Sequence, residues 1–336
     1  MATTTAPAEP GAPAEPAGAP LRQRLLSGST LGPLAALIIA CLFFAIRTDR
    51  FLTGGNFSLI IQQVMVVGTL AIGQTLIILT AGIDLSNGAI MAFTSIVMTR
   101  LAVHNGVPPL LAILIGLAVG TGFGLLNGAL VARVPLPPFI VTLGMLSIAF
   151  ALTHIYSQEQ TITGVPSLLT VLGQTFTVGG TDVTYGSIVT IGLFLLFAYL
   201  LGQTAWGKHV YAVGNNPEAA RLTGIRTRRV VIGVYATAGL VYGIAALLSV
   251  ARTGVGDPQA GQTDNLDSIT AVVLGGTSLF GGRGSVVGTL LGALIVGVIR
   301  NGLQLIGVAS IYQPLITGIL VILAVTVDQI SRRRTR

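Results

Sequence analysis

The feature that most constrains this chain is a series of long apolar runs, because a helix needs ~20 apolar residues to cross ~30 Å of hydrocarbon. Two of the runs, those beginning at Ile269 and Val286, are short and glycine-rich, so a re-entrant or half-length segment is the alternative for each. Together the runs predict an all-α fold, a polytopic transmembrane helical bundle of about ten spans. The predicted spans are Leu31–Ile46, Phe57–Leu79, Leu85–Val103, Leu110–Val131, Phe139–Tyr156, Tyr185–Leu201, Val230–Val250, Ile269–Phe280, Val286–Ile299 and Ile311–Val327.

Composition agrees with a bilayer as the solvent. Only 9% of the 336 residues are charged and 52% are hydrophobic, whereas soluble domains carry about 25% charged residues. The apolar residues are continuous rather than alternating, which argues against an outer-membrane barrel. The net charge of +7 lies in loops and tails rather than on one basic face, so nucleic acid is not an expected partner.

The distribution of basic residues predicts the orientation. With the N-terminus inside, 13 of the 18 lysines and arginines fall on inside segments, so both termini are predicted to be cytoplasmic. The five predicted to lie on outside segments are Arg47, Arg50, Arg100, Arg252 and Arg300. Residues 1–28, rich in Ala, Pro, Glu and Gly, are predicted to form a disordered cytoplasmic tail. Residues 29–331 form the transmembrane domain, and residues 332–336 form a basic cytoplasmic tail.

Two weak repeats suggest internal symmetry. Val119–Thr121 recurs as Val287–Thr289, and Ile83–Ser86 resembles Leu266–Ser268. Two five-span halves would have opposite orientations, as in many transporters. Chance alignment of glycine-rich segments is the alternative.

Glycines recur at every fourth position of the fourth predicted span. Small residues at this spacing let helix backbones approach closely in lipid. Close helix packing is therefore predicted along this face. The glycines are Gly116, Gly120, Gly124 and Gly128.

The predicted cytoplasmic loop 203–229 contains the signals of one short helix. Asn216 suits the N-cap, Pro217 the first helical position and Glu218 the first turn, while Gly224 suits a stop. A helix of about two turns is unstable alone in water, so it requires a docking partner. The alternative is an interfacial helix lying on lipid headgroups through its arginines. The candidate docking residues are Asn215, Asn216, Pro217, Glu218, Ala219, Ala220, Arg221 and Gly224.

Several long motifs resemble one transporter family. Gly73–Ser86, Pro137–Ser147, the 203–229 loop and Ala271–Ser285 occur in the order seen in the ribose/xylose/arabinose-type permeases of ATP-binding cassette (ABC) importers. The resemblance runs from about residue 55 to the C-terminus. The wider superfamily also contains permeases for nucleosides and branched-chain amino acids. One departure is Asn87, where the family usually has a small or apolar residue.

The resemblance implies a permease subunit for a small sugar in the bacterial inner membrane. It further implies a second permease copy, a cytoplasmic ATP-binding subunit and an extracytoplasmic sugar-binding protein. In this family Asn216–Ile225 would be the coupling helix that docks on the ATPase.

The chain lacks the residues of a motor or an enzyme. Its only lysine, Lys208, is followed by His209, so no P-loop is present. His104, His154 and His209 are scattered without carboxylate partners at ligand spacing. We therefore expect no cofactor and no metal, and energy from a partner ATPase.

A sugar pathway requires uncharged hydrogen-bonding groups inside the bundle. For each polar residue the alternative is an ordinary interhelical hydrogen bond, and for Asp84, Ser86 and Asp267 it is a helix N-cap. We expect most selectivity to lie in the separate binding protein. The pathway candidates are Gln74, Thr75, Asp84, Ser86, Asn127 and Asn301, with Gln62, Gln63 and Gln304 as further polar residues within spans.

Two rival functions remain open at this stage. An ion-coupled secondary carrier would usually place an ionisable group at mid-membrane, and none is evident in the middle of a predicted span. A membrane-embedded enzyme would require a catalytic constellation, and none is visible.

Overall fold

The computed structural model describes residues 28–309 and, beyond them, residues 311, 312, 314–316, 318, 319, 322 and 326. Residues 1–27 of the predicted N-terminal tail and the predicted tail 332–336 lie outside the described residues, as does part of the tenth predicted span. The described residues from Tyr312 to Thr326 are helical. The other elements are α1 (Gly28–Arg47), α2 (Gly54–Leu79), α3 (Asn87–Val103), α4 (Pro109–Arg133), α5 (Pro138–Ser157), α6 (Ser167–Thr170), a 3-10 turn (Val171–Gly173), β1 (Thr175–Val178), β2 (Thr181–Thr184), α7 (Tyr185–Gln203), α8 (Ala205–Asn215), α9 (Pro217–Leu222), α10 (Thr227–Thr253), α11 (Asp264–Leu274) and α12 (Val286–Leu305).

The prediction of a helical polytopic membrane protein is confirmed, but the count of ten spans is not. Six described helices are long and apolar enough to cross a membrane: α2, α4, α5, α7, α10 and α12. The apolar parts of α1 and α3 are shorter, at Leu31–Arg47 and Asn87–Val103.

The two short, glycine-rich runs form helices of different length. The span predicted at Ile269–Phe280 is wrong as a full crossing, because α11 has 11 residues and rises only ~16 Å. The glycines that follow Leu274 end it. The span predicted at Val286–Ile299 is instead the 20-residue α12, which extends beyond Ile299.

A β-hairpin departs from the all-α prediction. Strands β1 and β2 pair antiparallel, with Thr175 opposite Thr184 and Val178 opposite Thr181. Gly179 and Gly180 form the turn with φ of +57° and +81°, values that glycine adopts without steric cost. A side chain at Gly54 would overlap the Gly180 carbonyl, so the hairpin packs directly on the start of α2.

The glycine face of α4 packs against α10, as predicted. Side chains at Gly120 and Gly124 would meet the carbonyl oxygens of Gly239 and Tyr235, respectively. Gly116 packs against Met98 in the same row. These contacts let the two backbones approach closely and enclose Tyr235 and Tyr242, which are fully buried.

The bundle has two ends. At the Gly214 end, Gly214 packs on Leu79 and Gly282. At the Gly256 end, Gly256 and Ile162 form an antiparallel bridge. Helix α10 starts close after α9 and stops just before Gly256, and its 27 residues rise ~40 Å. Features at the two ends therefore lie on opposite sides of the bundle.

The two sequence repeats occupy unlike positions. Val119–Thr121 lies in the middle of α4, whereas Val287–Thr289 lies in the first turn of α12. Asp84 and Ser86 precede α3, whereas Asp267 lies within α11.

Candidate functional site: a polar column between the two ends

The 203–229 segment at the Gly214 end contains two helices. Helix α8 was not predicted, whereas α9 begins and ends as the sequence indicates. Asn216 Oδ1 accepts a hydrogen bond from the Ala219 N–H at 3.0 Å, and Pro217 is the first helical residue. Gly224 follows with φ of +87°, which fits a helix stop. The local capping residues thus fix a helix of six residues.

Helix α9 presents a charged and apolar outer surface. Glu218 and Arg221 form an exposed ion pair of 2.6 Å, and Leu222 is 77% exposed. On the inner side, Ala220 is buried and holds the helix against the bundle. The hydrogen bond from Arg221 and its positive charge hold the pKa of Glu218 below its usual value.

The segment is firmly seated on two other loops. A side chain at Gly214 would overlap the Leu79 carbonyl, and Tyr211 donates to the Gly284 carbonyl at 2.9 Å. Asn215 packs against Gly282. The base of α9 therefore rests on the chain that leads from Leu79 into the bundle.

The residues that follow Leu79 lead into a buried polar network around Asp84. Asp84 Oδ1 accepts from the Ser86 N–H at 2.7 Å and from the Ser86 hydroxyl at 2.6 Å. Asn127 donates to Ser86 Oγ at 3.2 Å. Ser86 is the N-cap residue of α3, as the alternative interpretation predicts, although its side chain makes no cap hydrogen bond. The Asp84 carboxylate forms a local turn by accepting a hydrogen bond from the main-chain N–H of Ser86, two residues further along the chain.

Gln74 and Asn87 extend the network across the bundle. Oriented so that both amide atoms are satisfied, Gln74 accepts from the Asp84 N–H at 3.2 Å and donates to its carbonyl at 3.0 Å. The amide of Asn87 lies 3.1 Å from that of Gln74 and 2.8 Å from Ser268 Oγ. The hydroxyl of Tyr242 faces the Asp84 carboxylate. Helices α2, α3, α10 and α11 thus meet at one polar centre.

A polar cavity of about 270 Å³ lies at the Gly256 end. Residues of α2, α3, α10, α11 and α12 and the 255–263 segment line it. Arg300 donates to Asp267 Oδ2 at 3.1 Å and lies 4.0 Å from Asp264. The lining residues are Gln63, Val66, Val67, Ser95, Ser249, Arg252, Thr253, Val255, Asp257, Gln259, Ala260, Gly261, Gln262, Thr263, Asp264 and Arg300.

Comparison with known proteins identifies the family of the chain. The sequence model of one family, described as "Branched-chain amino acid transport system / permease component", matches residues 56–325. The chain belongs to this permease family.

Individual permeases match almost the whole chain. The fructose import permease of Rhizobium meliloti is 46% identical over 319 residues, covering 93% of this chain and 89% of that protein. The ribose import permease of Bacillus subtilis is 39% identical, covering 89% and 92%. The xylose transport permease of Escherichia coli is 33% identical, covering 90% and 92%.

These relatives confirm two predictions. The resemblance to sugar-type import permeases is confirmed by the family and the three relatives. All three are transport permeases, so the expectation of a transport subunit rather than an enzyme is also confirmed.

The predicted pathway residues of this permease fall into two groups. Gln74, Asp84, Ser86 and Asn127 join the buried network, each at most 1% exposed. The two others lie apart from it. Thr75 bonds Thr289 at 2.7 Å in a separate contact between α2 and α12, and Asn301 is buried near the end of α12.

Most of the cavity-lining residues were not predicted from the sequence, although Gln63 was named among the polar residues within spans. The topology assigned Arg252 and Arg300 to outside loops, but they lie within α10 and α12. The N-cap prediction for Asp267 is wrong, because it lies in the first turn of α11 and pairs with Arg300. The available signal for the longer α12 was that Arg300, Asn301 and Gln304 are interspersed with further apolar residues after Ile299. Among the residues described, no three His, Cys, Asp or Glu side chains cluster as metal ligands would.

Proposed function

We propose that the chain is the membrane-spanning permease subunit of an ABC importer for a monosaccharide. The observation that carries this proposal is the pairing of an exposed, capped helix at one end with a polar cavity at the other, joined by a buried polar network. Relatives matched over about nine-tenths of the chain import fructose, ribose or xylose.

The proposed topology has ten passes with both termini in the cytoplasm. The chain alternates between the Gly214 end and the Gly256 end along its described length. Helix α11 supplies a half-length helical pass, which the 255–263 segment, made mostly of turns, completes at the Gly256 end. With an even number of passes, the N-terminus, the C-terminus and α9 share the Gly214 end, which the basic residues favour as cytoplasmic.

Three partners follow from this arrangement. A cytoplasmic ATP-binding subunit would receive the exposed outer surface of α9, which consists of Glu218, Arg221 and Leu222. An extracytoplasmic binding protein would deliver sugar at the Gly256 end. A second copy of the chain would complete the translocation unit as a homodimer, and lipid would cover the remaining apolar helix faces.

Force would reach the pathway through the contacts of α8. Movement of α9 shifts Gly214 and Asn215, which rest on Leu79 and Gly282. Leu79 leads directly to Asp84 and the buried network. Closing of the ATPase would thereby alter the packing below the cavity and release sugar towards the cytoplasm.

Reconstitution tests the proposal directly. Proteoliposomes containing the chain, its ATPase and its binding protein should accumulate radiolabelled D-fructose, D-ribose or D-xylose only with ATP inside the compartment that α9 faces. Uptake that survives ATP depletion and collapses with an ionophore would overturn it in favour of an ion-coupled carrier. ATP-driven uptake of leucine or uridine, with none of the three sugars, would retain the importer and replace the substrate.

A further inference from the structure

The cavity at the Gly256 end has the chemistry of a binding site. We propose that it is a low-affinity receiving site for a neutral polyhydroxylated ligand, a monosaccharide, with Arg252 and Gln63 as its ligating groups. The inference rests on the proposed function and assigns the place within the permease where sugar first binds after leaving the binding protein.

The lining supplies many hydrogen-bonding groups of both kinds. Sugar hydroxyls both donate and accept, so they require donors and acceptors at close spacing. Arginine, glutamine, serine and threonine side chains meet this need around the cavity, whereas apolar side chains larger than alanine are confined to Val66, Val67 and Val255. At about 270 Å³ the cavity is slightly smaller than the ~300–1,000 Å³ of sites for drug-sized ligands.

The same lining disfavours the other substrate classes of the family. No aromatic side chain lines the cavity in the described part of the chain, and bases are commonly held by stacking on aromatic rings. Three valines offer little apolar surface for a branched aliphatic side chain. Weak, purely polar contacts suit a site that must release its ligand.

The charges are nearly balanced and one cation stays open. Arg300 is occupied by Asp267 and Asp264, and Asp257 accepts from the Gln259 N–H at 2.9 Å. Among the described residues no carboxylate lies within 4.0 Å of Arg252. With Asp267 counted, three carboxylates and two guanidinium groups surround the cavity. A neutral ligand therefore suits it better than an anion.

Gln63 offers the complementary acceptor. Its Oε1 is buried and has no hydrogen-bond partner in the described chain. A buried amide oxygen without a partner is costly, so a ligand hydroxyl would satisfy it. Arg252 as donor and Gln63 as acceptor are then available on two helices, α10 and α2.

The position of the cavity also fits a receiving site. Its floor includes Gly261, whose backbone packs on Gly88, the neighbour of Asn87 in the buried network. Asn265 reaches the Leu85 carbonyl at 3.2 Å beside it. A ligand leaving the cavity towards the Gly214 end would meet this network first.

Cysteine protection tests the site. In a Cys41→Ser background, Thr263→Cys places a thiol in the cavity, and Val178→Cys on the exposed hairpin is the matched control at the same end. The complex with its ATPase, in lipid nanodiscs, is labelled with an impermeant methanethiosulfonate in the presence of D-fructose, D-ribose, D-xylose, leucine or uridine. At least one sugar should slow labelling of Thr263→Cys several-fold without affecting Val178→Cys.

Substitution of the ligating groups completes the test. Gln63→Leu or Arg252→Met should each raise the sugar concentration needed for protection by about 10-fold or more, while Arg50→Met, at the same end but outside the cavity, should not. Absence of protection by all three sugars, or equal protection by leucine or uridine, would overturn the site. ATP-driven sugar uptake that persists despite such a result would leave the proposed function standing, so the two failures are distinguishable.

Discussion

The main-chain N–H of Gly282 donates to the carbonyl oxygen of Leu79 across 3.0 Å, although the two residues are far apart in the sequence. Gly214 packs against both of them. The end of α2, the loop before α12 and the end of α8 thus form one three-way contact. Because Leu79 leads to Asp84, this contact connects the base of α9 to the buried network.

Gly214→Val should separate coupling from assembly. The new side chain would overlap the Leu79 carbonyl, and overpacking costs typically ~1–3 kcal/mol, so α8 must shift away from α2. We expect ATP hydrolysis by the reconstituted complex to lose its stimulation by the loaded binding protein. Gly233→Val is the control, since a Cβ at Gly233 meets nothing within 4 Å. Normal stimulation in the Gly214 variant would remove this contact from the coupling route.

Glu218→Lys should abolish coupling through the outer surface of α9. The substitution replaces the ion pair with Arg221 by two like charges at i,i+3, which is unfavourable on a helix, and reverses the charge that an ATPase groove would meet. Deletion of Ala219 and Ala220 should have the same effect, because it removes Ala220, the buried residue that holds α9 against the bundle. Membrane insertion should remain normal, and sugar-stimulated ATP hydrolysis is the measurement. Lys208→Glu, a charge reversal in α8 outside α9, is the control.

The Glu218–Arg221 pair also predicts a pH dependence. The pKa of Glu218 is lower in the folded chain because of Arg221, so the pair's stabilisation is fully present above the unfolded value of about 4.3. It is lost as pH falls through the lower, folded pKa. Docking of the ATPase should therefore be unchanged by Glu218 titration from pH 7 to 5, and Glu218→Gln should weaken it equally at both values. A Glu218-dependent loss of docking between pH 7 and 5 would contradict the assignment.

The sequence predicts the local features of this fold better than its tertiary ones. Asn216, Pro217 and Gly224 fix α9 because caps and stops act within a few residues. The hairpin was not predicted, although Gly179 and Gly180 between threonine-rich strands are a turn signal, because its strands have only four residues each and carry no long apolar run. The cavity was missed for a different reason. It depends on side chains from five helices, and the positive-inside pattern assigned Arg252 and Arg300 to loops.

Asn87→Ala should destabilise the network and change selectivity. Alanine removes the amide that donates to Ser268 Oγ and contacts Gln74, and the loss of one such hydrogen bond costs ~0.5–1.5 kcal/mol. We expect lower thermal stability in detergent and a changed ratio of fructose, ribose and xylose uptake, because Asn87 belongs to the network that a sugar leaving the cavity would meet. Ser147→Ala, on an exposed face of α5, should change neither quantity. An unchanged uptake ratio with lowered stability would make Asn87 a purely structural residue.

Gly124→Leu and Gly122→Leu provide a matched test of the α4–α10 contact. A side chain at Gly124 would overlap the Tyr235 carbonyl, whereas one at Gly122 meets nothing within 4 Å and faces away from α10. Gly124→Leu must therefore push the helices apart, at a cost of at least ~1–3 kcal/mol, and displace Tyr242 from the Asp84 carboxylate that it faces. Thermal unfolding followed by size-exclusion chromatography should show a lowered midpoint for Gly124→Leu and little change for Gly122→Leu. Equal midpoints would mean that close backbone approach does not stabilise this pair of helices, and that the glycine row on α4 has another cause.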